Sequence, residues 1–193
     1  MTELDGRVAR SIRSRVVVAE AWAARVEVEP MPPDMETLAE ESGVSVRSIY
    51  RLFGDNRAVV DEGVVARLRA VRPLVAVDAP ARASLANRCE AVAVGHGALH
   101  EALLNFRFFA IDPTAAPVVT KALGSLRRAR RAALSSIFER ELDRLGSDDR
   151  PARLDAIESA SGWGTWHGLR VDQRLARTRA QDIVEAELRA ILR

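Results

Sequence analysis

Apolar residues recur along nearly the whole chain at spacings of three and four, and no alternation of apolar and polar residues lasts long enough to predict a half-buried strand, so the fold class is all-α. The first amphipathic segment runs over about 8–28, with Ile12, Val16, Ala19 and Ala23 on one side and Trp22 beside them as a core residue. Pro30, Pro32 and Pro33 end it and predict an extended connector. Met35, Leu38 and Ala39 then share one face of a short helix. Gly43 falls where the chain must turn sharply through a left-handed residue, and Ser45 is placed to cap a next helix that keeps Ile49, Leu52 and Phe53 inward. A further helix is predicted from near Asp55 to Val71, with Val59, Val60, Val64 and Leu68 inward and Pro73 breaking it. The rest reads as helices at about 82–95, 97–110, 115–145, 150–169 and 173–192, with joints at Asp112-Pro113, Gly146-Ser147 and Val171-Asp172. The bracket Pro73 to Pro80 predicts a boundary between a domain at 1–72 and a second at 73–193.

Two short helices joined through Gly43, the second exposing small polar, arginine and tyrosine side chains, form a pattern that fits a DNA major groove: a helix-turn-helix. Its outward face offers Ser45, Val46, Arg47, Ser48, Tyr50 and Arg51, and Asn56 and Arg57 follow at the start of the next helix. At these residues the chain resembles the TetR family of one-component transcriptional regulators. Leu38-Ala39, Ser42-Gly43-Val44-Ser45, Ser48-Ile49-Tyr50 and Phe53 keep the order and spacing of that family's motif, which spans about a quarter of the chain. Where the family usually has a lysine three residues after the phenylalanine, this chain has Asn56, with Arg57 next. Asp34 and Glu36 stand where the family tends to place Thr and a nearby base; acid there favours the helix dipole and repels DNA phosphates. The resemblance implies a three-helix DNA-binding domain followed by a helical domain that binds an effector and dimerises. It also implies double-stranded DNA with a palindromic operator as partner, and repression as the usual sign.

Composition narrows the remaining classes. Net charge over 193 residues is only +2, with Lys121 the only lysine, so DNA affinity has to come from placed arginines rather than a polybasic tail. A single cysteine, Cys89, excludes an internal disulfide and a cysteine-based zinc site. No apolar signal core follows Arg7, Arg10, Arg13 and Arg15, and no segment has the roughly 18 uninterrupted apolar residues of a membrane span. The expected setting is the cytoplasm, with no membrane partner. No helix pairs carboxylates with a histidine, and neither Ser135 nor Ser136 has a histidine at predictable geometry, so no catalytic residue and no cofactor is expected.

In the second domain, helix 115–145 carries Arg130 and Glu141 inside an apolar stripe, and each needs an opposite charge, a solvated cavity or a ligand. His96 and His100 stand one turn apart, but Gly95 and Gly97 argue against a continuous helix there; a polar pocket wall is favoured over a metal site. An effector cavity is expected among Leu103, Phe106, Phe109, Leu126, Arg130, Ile137, Trp163 and His167, with Asn105 as a further polar anchor. Such a lining suits an unidentified small molecule, mainly apolar with one polar or acidic end. Ile157, Ser161, Gly164 and Gly168 form a small-residue face on helix 150–169, and Ala180, Ile183, Val184, Leu188 and Ile191 a stripe on helix 173–192. In a TetR-like chain these two helices pair with their twins in a homodimer. The alternative is a regulator whose second domain only dimerises or meets a protein partner.

Overall fold

The structure, a computed structural model, describes residues 3–80, 82–111, 115–146 and 148–193. Ten α-helices are described: α1 (Glu3–Val28), α2 (Met35–Ser42), α3 (Val46–Phe53), α4 (Asn56–Val71), α5 (Leu85–Ala102), α6 (Ala116–Ile137), α7 (Glu139–Leu142), α8 (Asp149–Ala160), α9 (Trp163–His167) and α10 (Arg177–Ile191). No strand occurs among the described residues. The chain divides into two compact units, Met1–Val71 with Ala102–Gly124, and Arg72–Glu101 with Ser125–Arg193.

The first unit is built on α1, whose buried stripe is Val18, Ala19, Trp22, Ala23 and Val26. Ile12 and Val16, expected inward, are 57% and 42% exposed, because the core that α1 packs against begins only at Val18. Trp22 is buried as expected. Gly63 of α4 lies flat on its ring, so close that a Cβ there would stand 2.4 Å from ring carbons. Phe109 meets the same indole edge-on at 5.6 Å between centroids. Arg67, only 3% exposed, reaches Glu27 at 2.6 Å and the Ala102 carbonyl, and Asn105 Nδ2 donates to the Glu27 carbonyl at 2.8 Å. These bonds tie α1, α4 and the segment from 102 into one unit.

The second unit has a core of Cys89, Val92, Leu134, Phe138, Leu142, Ile157, Trp166, Val184 and Leu188. Here the structure departs from the expected helix boundaries. α5 runs unbroken through Gly95 and Gly97, and the second glycine is there for proximity: a Cβ at Gly97 would meet the Trp166 ring at 2.6 Å. The expected helix 97–110 is therefore the end of α5 followed by a short 3-10 turn, Phe106–Ile111. The helix expected over 115–145 stops at Ile137, whose carbonyl accepts from Arg88 Nη1 at 2.6 Å, and restarts as α7. The helix expected over 150–169 breaks at Ser161-Gly162 into α8 and α9, followed by a π-helical turn, Gly168–Asp172, that absorbs the expected joint at Val171-Asp172. Asp112, Pro113 and Ser147 lie outside the described residues.

Glu141, charged within an apolar stripe, has its counter-charge in Arg88. The guanidinium is 1% exposed and grips the carboxylate in a two-pronged pair at 2.6 and 2.8 Å. Those hydrogen bonds hold the Glu141 carboxyl below its ordinary value of 4.5. Burial pushes the neighbouring Cys89 thiol up to about 11, which leaves it an unreactive core residue.

Candidate functional site

Local chemistry aims α3. Asp34 caps α2 by accepting from the Thr37 N–H at 2.7 Å, a bond that also lowers its carboxyl from the ordinary 3.8. Gly43 ends α2 at φ 67°, a conformation that costs a side-chain-bearing residue strain. Ser45 Oγ then accepts from the Ser48 N–H at 3.4 Å and donates to Ser48 Oγ at 3.0 Å, starting α3. Ile49 and Phe53 are buried, fixing which face turns away. Arg15 of α1 locks the far end: it donates to the Leu52 carbonyl, pairs with Glu62 of α4 and lies 4.6 Å over the Phe53 ring.

What remains outward on α3 is Ser45, Arg47, Tyr50 and Arg51 in exposed positions, with Val46 and Ser48 half-buried between them. α3 carries no acidic residue, so its free face is wholly neutral or cationic. Asn56 and Arg57 are exposed at the start of α4, where Asp55 Oδ1 accepts from the Ala58 N–H at 2.8 Å. The arrangement presents hydrogen-bond donors along one exposed helix face, which is the chemistry that phosphates and base edges accept.

The effector-site residues read from the sequence divide between the units. Leu103, Phe106 and Phe109 are buried in the first, and Asn105 is engaged there by Glu27. Leu126, Arg130, Ile137, Trp163 and His167 belong to the second. His167 stands 5.2 Å from the Trp163 ring and 3.7 Å from the Asp172 carboxylate. Arg130 sits in a buried polar cluster with His96, His100, Glu158 and Ser161, all at most 7% exposed, and the His100 ring of that cluster lies 6.0 Å from the Trp163 ring. Its Nη1 lies 3.2 Å from His100 Nε2 and 3.3 Å from the Ser161 carbonyl, and its Nη2 donates to the Glu158 carbonyl at 3.2 Å. Continuity of α5 is what puts His96 and His100 on one face, and the glycines beside them hid that continuity. Glu158 carries no local signal in the sequence, because its partners Arg127, Arg130 and Arg131 lie on a different helix, α6.

His96 is held well below the ordinary histidine value of 6.5, first by burial and then by the charges of Arg130 and His100. The folded chain thus refuses a proton that the unfolded chain takes up as pH falls below 6.5, so stability from this group is present above that pH and lost below it. Thermal unfolding followed from about pH 8 to about pH 5 should show His96→Leu losing less stability than the wild type. Equal losses would mean that the ring is not buried in its neutral form.

On the expected dimer faces, Ile157, Ser161, Ala180, Val184 and Leu188 are packed into the second unit's own interior, since each short helix has only one stripe and the unit's core takes it. Gly164 is exposed with open space around its Cα, Ile183, Ile191 and Gly168 are half-buried, and the outward face of α10 shows Ala186 and Ala190.

No family model matches the chain, and no curated protein matches it. Solved structures do. A TetR-family transcriptional regulator assignment accompanies one from Rhodococcus sp., similar at TM-score 0.69 with 13% identity over 93% of this chain and 99% of that one. A second with the same assignment, from Mesorhizobium loti, is similar at TM-score 0.66 with 16% identity over 95% of this chain and 96% of the other. The all-α fold, a helix-turn-helix domain with a C-terminal helical domain, is the one these structures share.

Proposed function

We propose that this protein is a DNA-binding transcriptional regulator, a homodimer that holds a palindromic operator and is released from it by a small molecule. The observation that carries the reading is the acid-free outward face of α3, set by Gly43 and Ser45 at one end and by Arg15 at the other. Arg47 reads a base edge, Ser45, Val46 and Ser48 approach the groove closely, and Tyr50, Arg51, Asn56 and Arg57 meet phosphates. Arg47→Ala should weaken binding to the cognate site by about 1–3 kcal/mol and binding to random DNA far less. Equal losses on both would make Arg47 a phosphate contact.

The second unit supplies dimerisation and the effector site. The dimer forms through Gly164, Gly168, Ile183 and Ile191 with the outward alanines of α10. The effector meets Leu126, Arg130, Ile137, Trp163 and His167, and its binding favours a conformation whose helices no longer match the groove, since equal affinity for both states shifts nothing. The buried polar cluster around Arg130 supports an effector site over the alternative of a unit that only dimerises or binds a protein. Among the described residues no helix is long and apolar enough to cross a membrane.

A further inference from the structure

The buried polar cluster of the second unit holds one guanidinium, Arg130, and one carboxylate, Glu158, and the more exposed guanidinium groups beside it compete for that carboxylate. Glu158 is the acid nearest Arg130, yet it stands 3.8 Å away and both its oxygens are already engaged at 2.6 Å, Oε1 by Arg127 and Oε2 by Arg131. Asp155 answers Arg131 at 2.6 Å. Three guanidinium groups therefore face two carboxylates, and the one left over, Arg130, is 7% exposed and, among the described residues, hydrogen-bonded to carbonyl oxygens and the His100 ring. Its Nε has no hydrogen-bond partner among the described residues. One helix away, His96 is 1% exposed and neither of its ring nitrogens has a partner among the described residues. Buried polar atoms are nearly always satisfied, and an imidazole left without partners is costly enough to call for an occupant.

We propose that His96 and Arg130 form the seat of a carboxylate, the acidic end of the effector; this rests on the ligand response proposed above and names the ligand's class. An anion accepts from the His96 N–H and from the idle Arg130 Nε–H, and it neutralises the guanidinium that Glu158 serves poorly. A metal ion is the wrong occupant. Arg130 repels it, and among the described residues no three histidine, cysteine or acidic side chains gather to hold one. The groups that act on His96 are Arg130 from α6 and His100 from α5. Trp163 and Trp166, ring centroids 6.0 and 6.3 Å from that of His100, supply apolar wall for the rest of an aliphatic or aromatic acid.

Formate and formamide, small enough to enter without matching the wall, separate a carboxylate seat from a trapped water. Ring-nitrogen NMR of the full-length, isotopically labelled protein should show the His96 signals moving saturably with formate and staying still with formamide. His96→Leu should remain folded with an unchanged or higher melting temperature, and Arg130→Met should weaken the response of the His96 signals to formate by about tenfold. Equal responses to both probes, or none to either, overturn the proposal and leave a solvated histidine. The readout involves no DNA. A formate response in a protein whose DNA affinity no acid alters keeps the carboxylate seat and removes the ligand-response reading, whereas DNA release by a neutral compound without any formate response does the opposite.

Discussion

Glu141→Ala is expected to destabilise the second unit by about 3–5 kcal/mol, because it strands the Arg88 guanidinium in the interior rather than deleting a surface charge. Arg88 is 1% exposed and gives Glu141 two hydrogen bonds at 2.6 and 2.8 Å, so the carboxylate is both its counter-charge and its main acceptor. The Ile137 carbonyl, which ends α6, remains as a partner but carries no charge. Denaturant unfolding measures the loss. The same pair contributes acid sensitivity of a definite sign: Glu141 titrates below 4.5 in the folded chain, so its stabilisation is complete above 4.5 and fades as pH falls through the lowered folded value. Glu141→Gln should flatten that part of the acid limb. A variant as stable as the wild type would mean that Arg88 reaches water when released.

Gly63→Val should cost the first unit about 3 kcal/mol or more through overpacking. A Cβ at this position already stands 2.4 Å from the Trp22 ring, and the ring, 1% exposed and braced by Phe109, has nowhere to go. Trp22→Leu removes the obstacle, so the double variant should be less damaged than the sum of the single ones, by about 0.5–3 kcal/mol of coupling. Simple additivity would show that the helix, not the ring, gives way.

The parts of the molecule legible in the sequence are those with local causes. A left-handed glycine and a serine cap announce themselves within four residues, which is why the turn at Gly43 and the start of α3 at Ser45 could be read directly. Gly97 shows the limit. Its neighbours on the chain make it look like a helix breaker, while its reason for being glycine is Trp166, far along the sequence and leaning on α5. Arg130 and Glu141 were visible as charges out of place, but their partners were not, since Arg88 and Glu158 sit at positions whose inward orientation depends on which helices the fold sets beside them. His96 was visible as half of a pair. That neither ring nitrogen finds a hydrogen-bond partner among the described residues is a property of the folded interior alone.

The central claim, that α3 reads DNA in a twofold dimer, is tested most directly by selecting bound duplexes from a randomised pool with the full-length protein. The account predicts enrichment of an inverted repeat with half-sites about one helical turn apart or a near multiple. It also predicts affinity that falls steeply with salt and a half-site preference that Arg47→Ala relaxes. A pool that yields no enriched sequence, or a preference untouched by Arg47→Ala, Arg51→Ala and Tyr50→Ala together, would contradict it.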